Sequence, residues 1–71
     1  MTIYYIRNNA FDIVAADCGN AAYYIHIIPE DPQATVEAVA KTQDFSWWES
    51  DLSIGEILDG AEVLASIEIE S

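Results

Sequence analysis

The sequence predicts an α+β fold: a small antiparallel β-sheet, formed by three N-terminal strands plus the C-terminal strand, with one main helix packed on one face. Three observations lead to this expectation. The N-terminal part is rich in Tyr and Ile between turn-forming residues, an Asp-Pro step opens a run with helical spacing, and the C-terminal residues alternate between apolar and polar. Because 71 residues are too few for a second core, we expect residues 1–71 to form a single compact domain.

Two strands joined by a hairpin are expected first. Residues Thr2–Ile6 are aromatic or β-branched, and Asn8 and Asn9 then supply a turn. The second strand, Phe11–Ala16, alternates in side-chain character and ends near Gly19, which can adopt the positive φ that a tight turn requires.

The segment Ala21–Ile28 has two interpretations. Its Tyr and Ile content, with Tyr23 and Tyr24 on opposite faces, favours a third strand. The alternative is a short helix over residues 20–28, with Asp17 as its N-cap and Pro29 as its end. We favour the strand.

A helix is expected to begin at Pro32, because Asp31 can cap it and proline suits the first helical position. Val36 and Val39 then recur on one face through about Thr42, a weakly amphipathic run suited to packing on a sheet.

A short helical turn and a final strand complete the predicted fold. Ser53 and Glu56 have the spacing of a capping box, which predicts a turn of helix through Leu58, ended by Asp59-Gly60. In Ala61–Ser71, one set of apolar positions alternates with Glu62, Leu64, Ser66, Glu68 and Glu70, which is typical of a half-buried strand. The apolar positions are Val63, Ala65, Ile67 and Ile69.

The net charge is the strongest functional signal. The chain carries 13 acidic residues against Arg7 and Lys41, for a formal charge of -11, and residues 42–71 hold eight of the acids and no base. Proteins bind nucleic acid and anionic membranes through clustered Lys and Arg, so direct contact with either is not expected. A field of this sign instead steers a basic partner.

Catalytic and cofactor chemistry has few candidate residues. His26 is the only histidine and Cys18 the only cysteine, so a thiol nucleophile with its base would have to be this pair, eight residues apart. We interpret both as ordinary turn and strand residues. The acid-rich segment lacks the spacing of a calcium loop, and we expect a solvated rim there, with no metal and no cofactor. Its acids are Glu49, Asp51, Glu56 and Asp59.

The acids of the second half are expected to form a partner-binding surface. On the last strand, Glu68 and Glu70 would lie about 6.6 Å apart with Glu62 on the same face, because a strand rises about 3.3 Å per residue. With Glu49, Asp51, Glu56 and Asp59 nearby in the sequence, such a row can take the place of a phosphate backbone. The alternative is a solvated face that protects a sheet edge.

Trp47 and Trp48 are adjacent, so one is expected in the core and one at the surface. An exposed Trp framed by Asp44, Glu49 and Asp51 would have the composition of an interface hot spot. The alternative is that both rings pack under a loop.

The leading functional hypothesis is a non-catalytic inhibitor that binds a basic nucleic-acid-binding protein by charge mimicry. In size and acidity the chain resembles anti-CRISPR and antirestriction inhibitors of phages and mobile elements, and no residues are carried over from them. That resemblance implies a CRISPR effector or a restriction enzyme as partner. A single cysteine and an N-terminus unlike a signal peptide predict the cytoplasm.

Two other classes stay open. The first is an adaptor or structural module that forms a homodimer, or docks on a protein, through exposed aromatic side chains. The second is an enzyme that relies on carboxylates of the 49–62 region alone. High salt should abolish charge mimicry and spare an aromatic interface.

Overall fold

The computed structural model describes residues 1–9, 11–19, 21–42 and 48–69. They form β1 (Thr2–Asn8), β2 (Phe11–Asp17), β3 (Ala22–Ile27), α1 (Pro32–Thr42), β4 (Trp48–Glu49), α2 (Ile54–Leu58) and β5 (Glu62–Glu68). The strands make one antiparallel sheet in the order β4-β3-β2-β1-β5. The α+β fold predicted from the sequence is confirmed, and β4 adds a short edge strand that was not predicted.

Within the segment 20–28, Ala22–Ile27 forms a strand, so the helical alternative is wrong. β3 pairs with β2 over its whole length, from Ala22 opposite Asp17 to Ile27 opposite Asp12. Aromatic and β-branched residues suit the pleated surface, and the neighbouring strand supplies the backbone hydrogen bonds that a short isolated helix would have to make alone.

The turns follow the sequence prediction. Asn8 pairs directly with Phe11, which leaves a two-residue connection between β1 and β2. Asn9 has a φ of 56°, a conformation that asparagine tolerates better than most residues and that hairpin turns of this length need. After β2, Gly19 has a φ of 89°, and its N–H donates to Asp17 Oδ1 at 2.9 Å.

The core lies between α1 and one face of the sheet, here called the α1 face. Its fully buried apolar side chains are Ile3, Tyr5, Val14, Ala16 and Val36. Helix α1 packs across β1 and β5, and Val39, the next helical position, adds partly buried surface to the same cluster. Burial of this apolar surface is the main favourable contribution to folding.

Both helices begin with the predicted caps. At α1, Asp31 Oδ1 accepts from Ala34 N–H at 3.2 Å, and the Asp31 carbonyl accepts from Thr35 N–H at 3.0 Å. At α2, Ser53 Oγ accepts from Glu56 N–H at 3.3 Å and the Glu56 carboxylate accepts from Ser53 N–H at 3.3 Å, which completes the capping box.

The regular alternation predicted for the last strand is interrupted. Tyr5 pairs with Ala65 whereas Ile6 pairs with Val63, so Leu64 is an extra residue in a β-bulge. Leu64 packs against the core and Val63, predicted as a core position, is 45% exposed. Glu62 and Val63 precede the bulge in β5. Each lies on the face opposite to the one that an unbroken alternation predicts.

A polar cluster around the buried Asp12 joins β1, β2 and the segment that precedes α1. The Asp12 carboxylate accepts two hydrogen bonds from the Arg7 guanidinium, both at 2.8 Å, and one from the Tyr5 hydroxyl. That hydroxyl also accepts from the Glu30 backbone N–H at 3.1 Å. The described residues contain no buried side-chain polar atom that lacks a partner. Neither described helix is long and apolar enough to cross a membrane.

Candidate partner-binding site

The sheet face opposite α1, here called the α2 face, carries a cleft of about 390 Å³. Its floor comes from β2 and β3, one wall comes from α2, and the other comes from the loop after β4. We call it the acidic cleft. The residues that line it are Asn8, Ile13, Tyr24, His26, Glu49, Ser50, Asp51, Leu52, Glu56, Ile57 and Asp59.

Local hydrogen bonds hold both walls in place. The Ser50 N–H donates to the Ala22 carbonyl at 2.8 Å, which fixes the loop after β4 to β3. Ser50 Oγ accepts from Leu52 N–H at 3.0 Å, so the loop turns directly after Asp51. The opposite wall, α2, is held by its Ser53 capping box. Asp51 is exposed at the tip of this turn.

The floor of the cleft is aromatic and continues beyond it. Tyr24 and His26 are two residues apart on β3, with an edge-to-face contact between ring centroids 5.8 Å apart. His26 makes a second such contact with Phe11 on β2, at 5.7 Å. Phe11 is 61% exposed. Tyr24, His26 and Phe11 are here called the aromatic strip.

Acids lie on both faces of the sheet, but the two bases lie away from the α2 face. Thr2 pairs with Asp17 on one side and with Glu68 on the other, so these two acids lie in one row across the α2 face. Neighbouring strands lie about 4.8 Å apart, which places the two acids roughly 10 Å from each other. With Asp51, Glu56 and Asp59 of the cleft, five described acids lie on or beside this face. Arg7, bonded to Asp12, belongs to the α1 face.

The other described base, Lys41, lies in the last turn of α1 and is exposed. Among the described residues the α2 face therefore has no Lys or Arg. The described carboxylates of this face form no ion pair with another described residue. Their field extends into solvent, where salt screens it within about 10 Å at 0.1 M.

The structure brings together some of the predicted partner-binding residues and separates others. Asp51, Glu56 and Asp59 meet at the cleft, whereas Glu68 lies on β5, three strands from β3 and at the opposite sheet edge from β4. Glu49 borders the cleft, but its pairing with Tyr23 places its side chain on the α1 face.

The predicted row along the last strand is interrupted by the bulge. Glu62 pairs with Arg7 on the α1 face and Glu68 pairs with Thr2 on the α2 face, so the expectation that both share one face is wrong. Asp44, Trp47 and Glu70 lie outside the described residues. The backbone of Trp48 is described, and Trp48 in β4 pairs with Tyr24 in β3.

Cys18 and His26 do not converge. Cys18 packs against the core on the α1 face, whereas His26 pairs with Ile13 on the α2 face. Ala22 lies beside the turn that holds Cys18. His26 lies four residues further along β3, which is roughly 13 Å at about 3.3 Å per residue. Within residues 1–9, 11–19, 21–42 and 48–69, no three His, Cys, Asp or Glu side chains are placed to hold a metal ion.

Sequence reasoning missed the aromatic strip and the Arg7–Asp12 pair. A signal for the pair was present, because Arg7 and Asp12 flank the hairpin turn symmetrically and oppose each other once Asn8 pairs with Phe11. The strip had no local signal, since it depends on contacts between two strands.

Comparison of the chain with protein-family models, curated proteins and solved structures finds no significant match in any of the three. Its geometry and charge therefore carry the functional argument.

Proposed function

We propose that this protein is a non-catalytic inhibitor that binds the basic groove of a nucleic-acid-binding protein in the cytoplasm and excludes the nucleic acid. A CRISPR effector or a restriction enzyme of the host would be such a target. The observation that carries the proposal is the placement of the bases: five described acids lie on or beside the α2 face, and Arg7 and Lys41 both lie elsewhere.

Physical arguments support this surface as a substitute for phosphates. Carboxylates accept the same charge-assisted hydrogen bonds from Arg and Lys that phosphate oxygens accept. Held on a sheet and a capped helix, they lose little conformational freedom on binding, which reduces the entropic cost of association. A net charge of -11 also accelerates encounter with a positively charged groove.

Inhibition assays with two matched variants test the proposal. Asp51→Asn with Glu68→Gln removes two charges from the α2 face, and Glu37→Gln with Glu62→Gln removes two exposed charges elsewhere. A panel of CRISPR effectors and restriction enzymes is assayed on DNA in about 0.1 M NaCl. Binding of the protein to each enzyme is then measured without DNA in about 0.1 M NaCl and near 1 M, where the Debye length falls from about 10 Å to about 3 Å. We expect an enzyme that is inhibited competitively with DNA, more weakly by the α2-face variant, and that releases the protein near 1 M NaCl.

Either of two results would refute charge mimicry. One is full activity of every enzyme in the panel at low salt with the protein in excess. The other is inhibition that both variants reduce equally, because the effect would then follow total charge and not its placement on the α2 face.

The second candidate is an adaptor that binds a protein through exposed aromatic side chains, and the 61% exposure of Phe11 favours it. Binding of this kind persists near 1 M NaCl and is insensitive to the α2-face charge variant, so the same assays separate the two candidates.

A further inference from the structure

We propose that the acidic cleft and the aromatic strip together receive an Arg side chain followed by an apolar side chain from the partner protein. This inference rests on the proposed function and deepens it, because it names the surface and the chemistry of the segment that docks there. The Arg would enter the cleft, and the apolar side chain would pack on Phe11.

The aromatic strip is the first reason. Tyr24 and His26 form part of the cleft floor, and Phe11 extends the same surface toward the end of the β1–β2 hairpin. Rigid rings bury large areas on binding at a small entropic cost, which is why aromatic residues are enriched in interface anchors. An exposed ring next to a concave site suits an apolar side chain of a partner.

Charge complementarity is the second reason, and it selects the occupant. Asp51 stands on one wall, Glu56 and Asp59 stand on the other, and no described Lys or Arg lines the cleft. Asp51 and Asp59 offer carboxylates to a cation in the cleft, and Glu56 offers the carboxylate oxygen that does not accept from Ser53. The cleft thus differs from a flat apolar patch, which would take an uncharged segment.

The combination favours Arg over Lys. A guanidinium group is planar, stacks on aromatic rings and donates paired hydrogen bonds to carboxylates, whereas an ammonium group is a compact and strongly hydrated charge. The His26 ring and the acids that line the cleft offer both kinds of contact at once.

The test is a peptide titration of the full ¹⁵N-labelled chain, followed by NMR. The probes are short Gly–Ser peptides that carry one Arg–Leu step, one Lys–Leu step or one Arg–Ser step. We expect the Arg–Leu peptide to shift the amides of Tyr24, His26, Leu52 and Ile57, and to bind at least about threefold more tightly than either of the others.

Three variants complete the test. Phe11→Ser should weaken Arg–Leu binding by about fivefold or more and leave Arg–Ser binding unchanged, and Asp59→Asn should weaken both. Val63→Ser, on a side chain that is 45% exposed on β5, should change neither. Equal affinity for the Arg–Leu and Lys–Leu peptides, or an unchanged affinity in Phe11→Ser, would overturn the inference.

This test is independent of the enzyme assays. Peptide binding as expected, with no enzyme inhibited, would refute the proposed function and leave the docking site standing. Inhibition through the α2 face without selective peptide binding would refute the docking site alone.

Discussion

Asp12 differs from the other described acids in being buried, with only 2% of its side chain exposed. An isolated carboxylate would not remain ionised in such a place, because desolvation disfavours the charged form. Hydrogen bonds from Arg7 and then from Tyr5 outweigh that desolvation and lower the pKa of Asp12 to about 2. The same pairing raises the pKa of Arg7. One Arg of a very acidic chain is thus used to stabilise the fold.

This cluster predicts a specific pH dependence of stability. The pKa of Asp12 falls from 3.8 to about 2 on folding, so its contribution is complete above about pH 4 and is lost as the pH falls through 2. Thermal unfolding of the protein and of Asp12→Asn, followed by circular dichroism from pH 7 to pH 2, should show a difference in Tm that narrows with acidity. A gap that stays constant down to pH 2 would contradict the assignment.

The matched control for this measurement is Asp51→Asn, which removes an exposed acid of the cleft. Its Tm should lie slightly above that of the unmodified protein at pH 7, because one repelling charge is removed. Asp51→Asn should not remove a stabilising contribution that acid abolishes, since Asp51 makes no ion pair with any described residue. The comparison separates the buried pair from the general relief of repulsion that acidification brings to every acid.

Among the secondary-structure elements, α2 depends most on its cap. It has five residues and none of them is buried, so packing contributes little and the Ser53–Glu56 box contributes much of its stability. Because α2 forms one wall of the acidic cleft, this local bonding also shapes the candidate site.

Ser53→Ala should therefore loosen α2 before it affects the sheet. Loss of an N-cap costs about 1 kcal/mol, and we expect hydrogen exchange to accelerate at the amides of residues 54–58 while Tyr5 and Val14 stay protected. Ser66→Ala, an exposed position on β5, is the control and should change neither region. Uniform acceleration across the chain in Ser53→Ala would show that α2 is part of the global folding unit.

Caps, turns and strand composition are local properties, and for this reason the sequence predicts the elements well. Asp31, Asn9, Gly19 and Ser53 behave as their residue types require. The bulge at Leu64 was not predicted. Val63, Leu64 and Ala65 are three consecutive apolar residues, which break the alternation, but the extra residue is identified only when the strand is paired with β1.

The candidate site was predicted in part, for the same physical reason. The concentration of acids in the second half is visible in the sequence, and three of them do meet at one cleft. Their separation from Glu68 depends on strand order, which is set by long-range pairing. β4 and β5 lie at opposite edges of the sheet, so acids close in sequence can lie far apart in space.

For the whole molecule, the charge of -11 opposes the compact state. We expect the Tm to rise as NaCl increases from about 0.05 M to about 0.5 M, because screening weakens repulsion between acids that lack counter-ions. The variant Asp51→Asn with Glu68→Gln should start from a higher Tm and gain less from salt. A Tm that is independent of NaCl in both proteins would show that repulsion on the α2 face is already relieved by solvent.

The position of β1 between β2 and β5 has a consequence for how the chain acquires its structure. β2 follows β1 across a two-residue turn, whereas β5, on the other side of β1, is separated from it by every other described element. Helix α1 rests on both β1 and β5, so it cannot complete its packing until that distant pairing has formed. The hairpins can form early and locally, but the core closes last and in one step. The protein should therefore fold cooperatively, at a rate set by the closure of its longest loop.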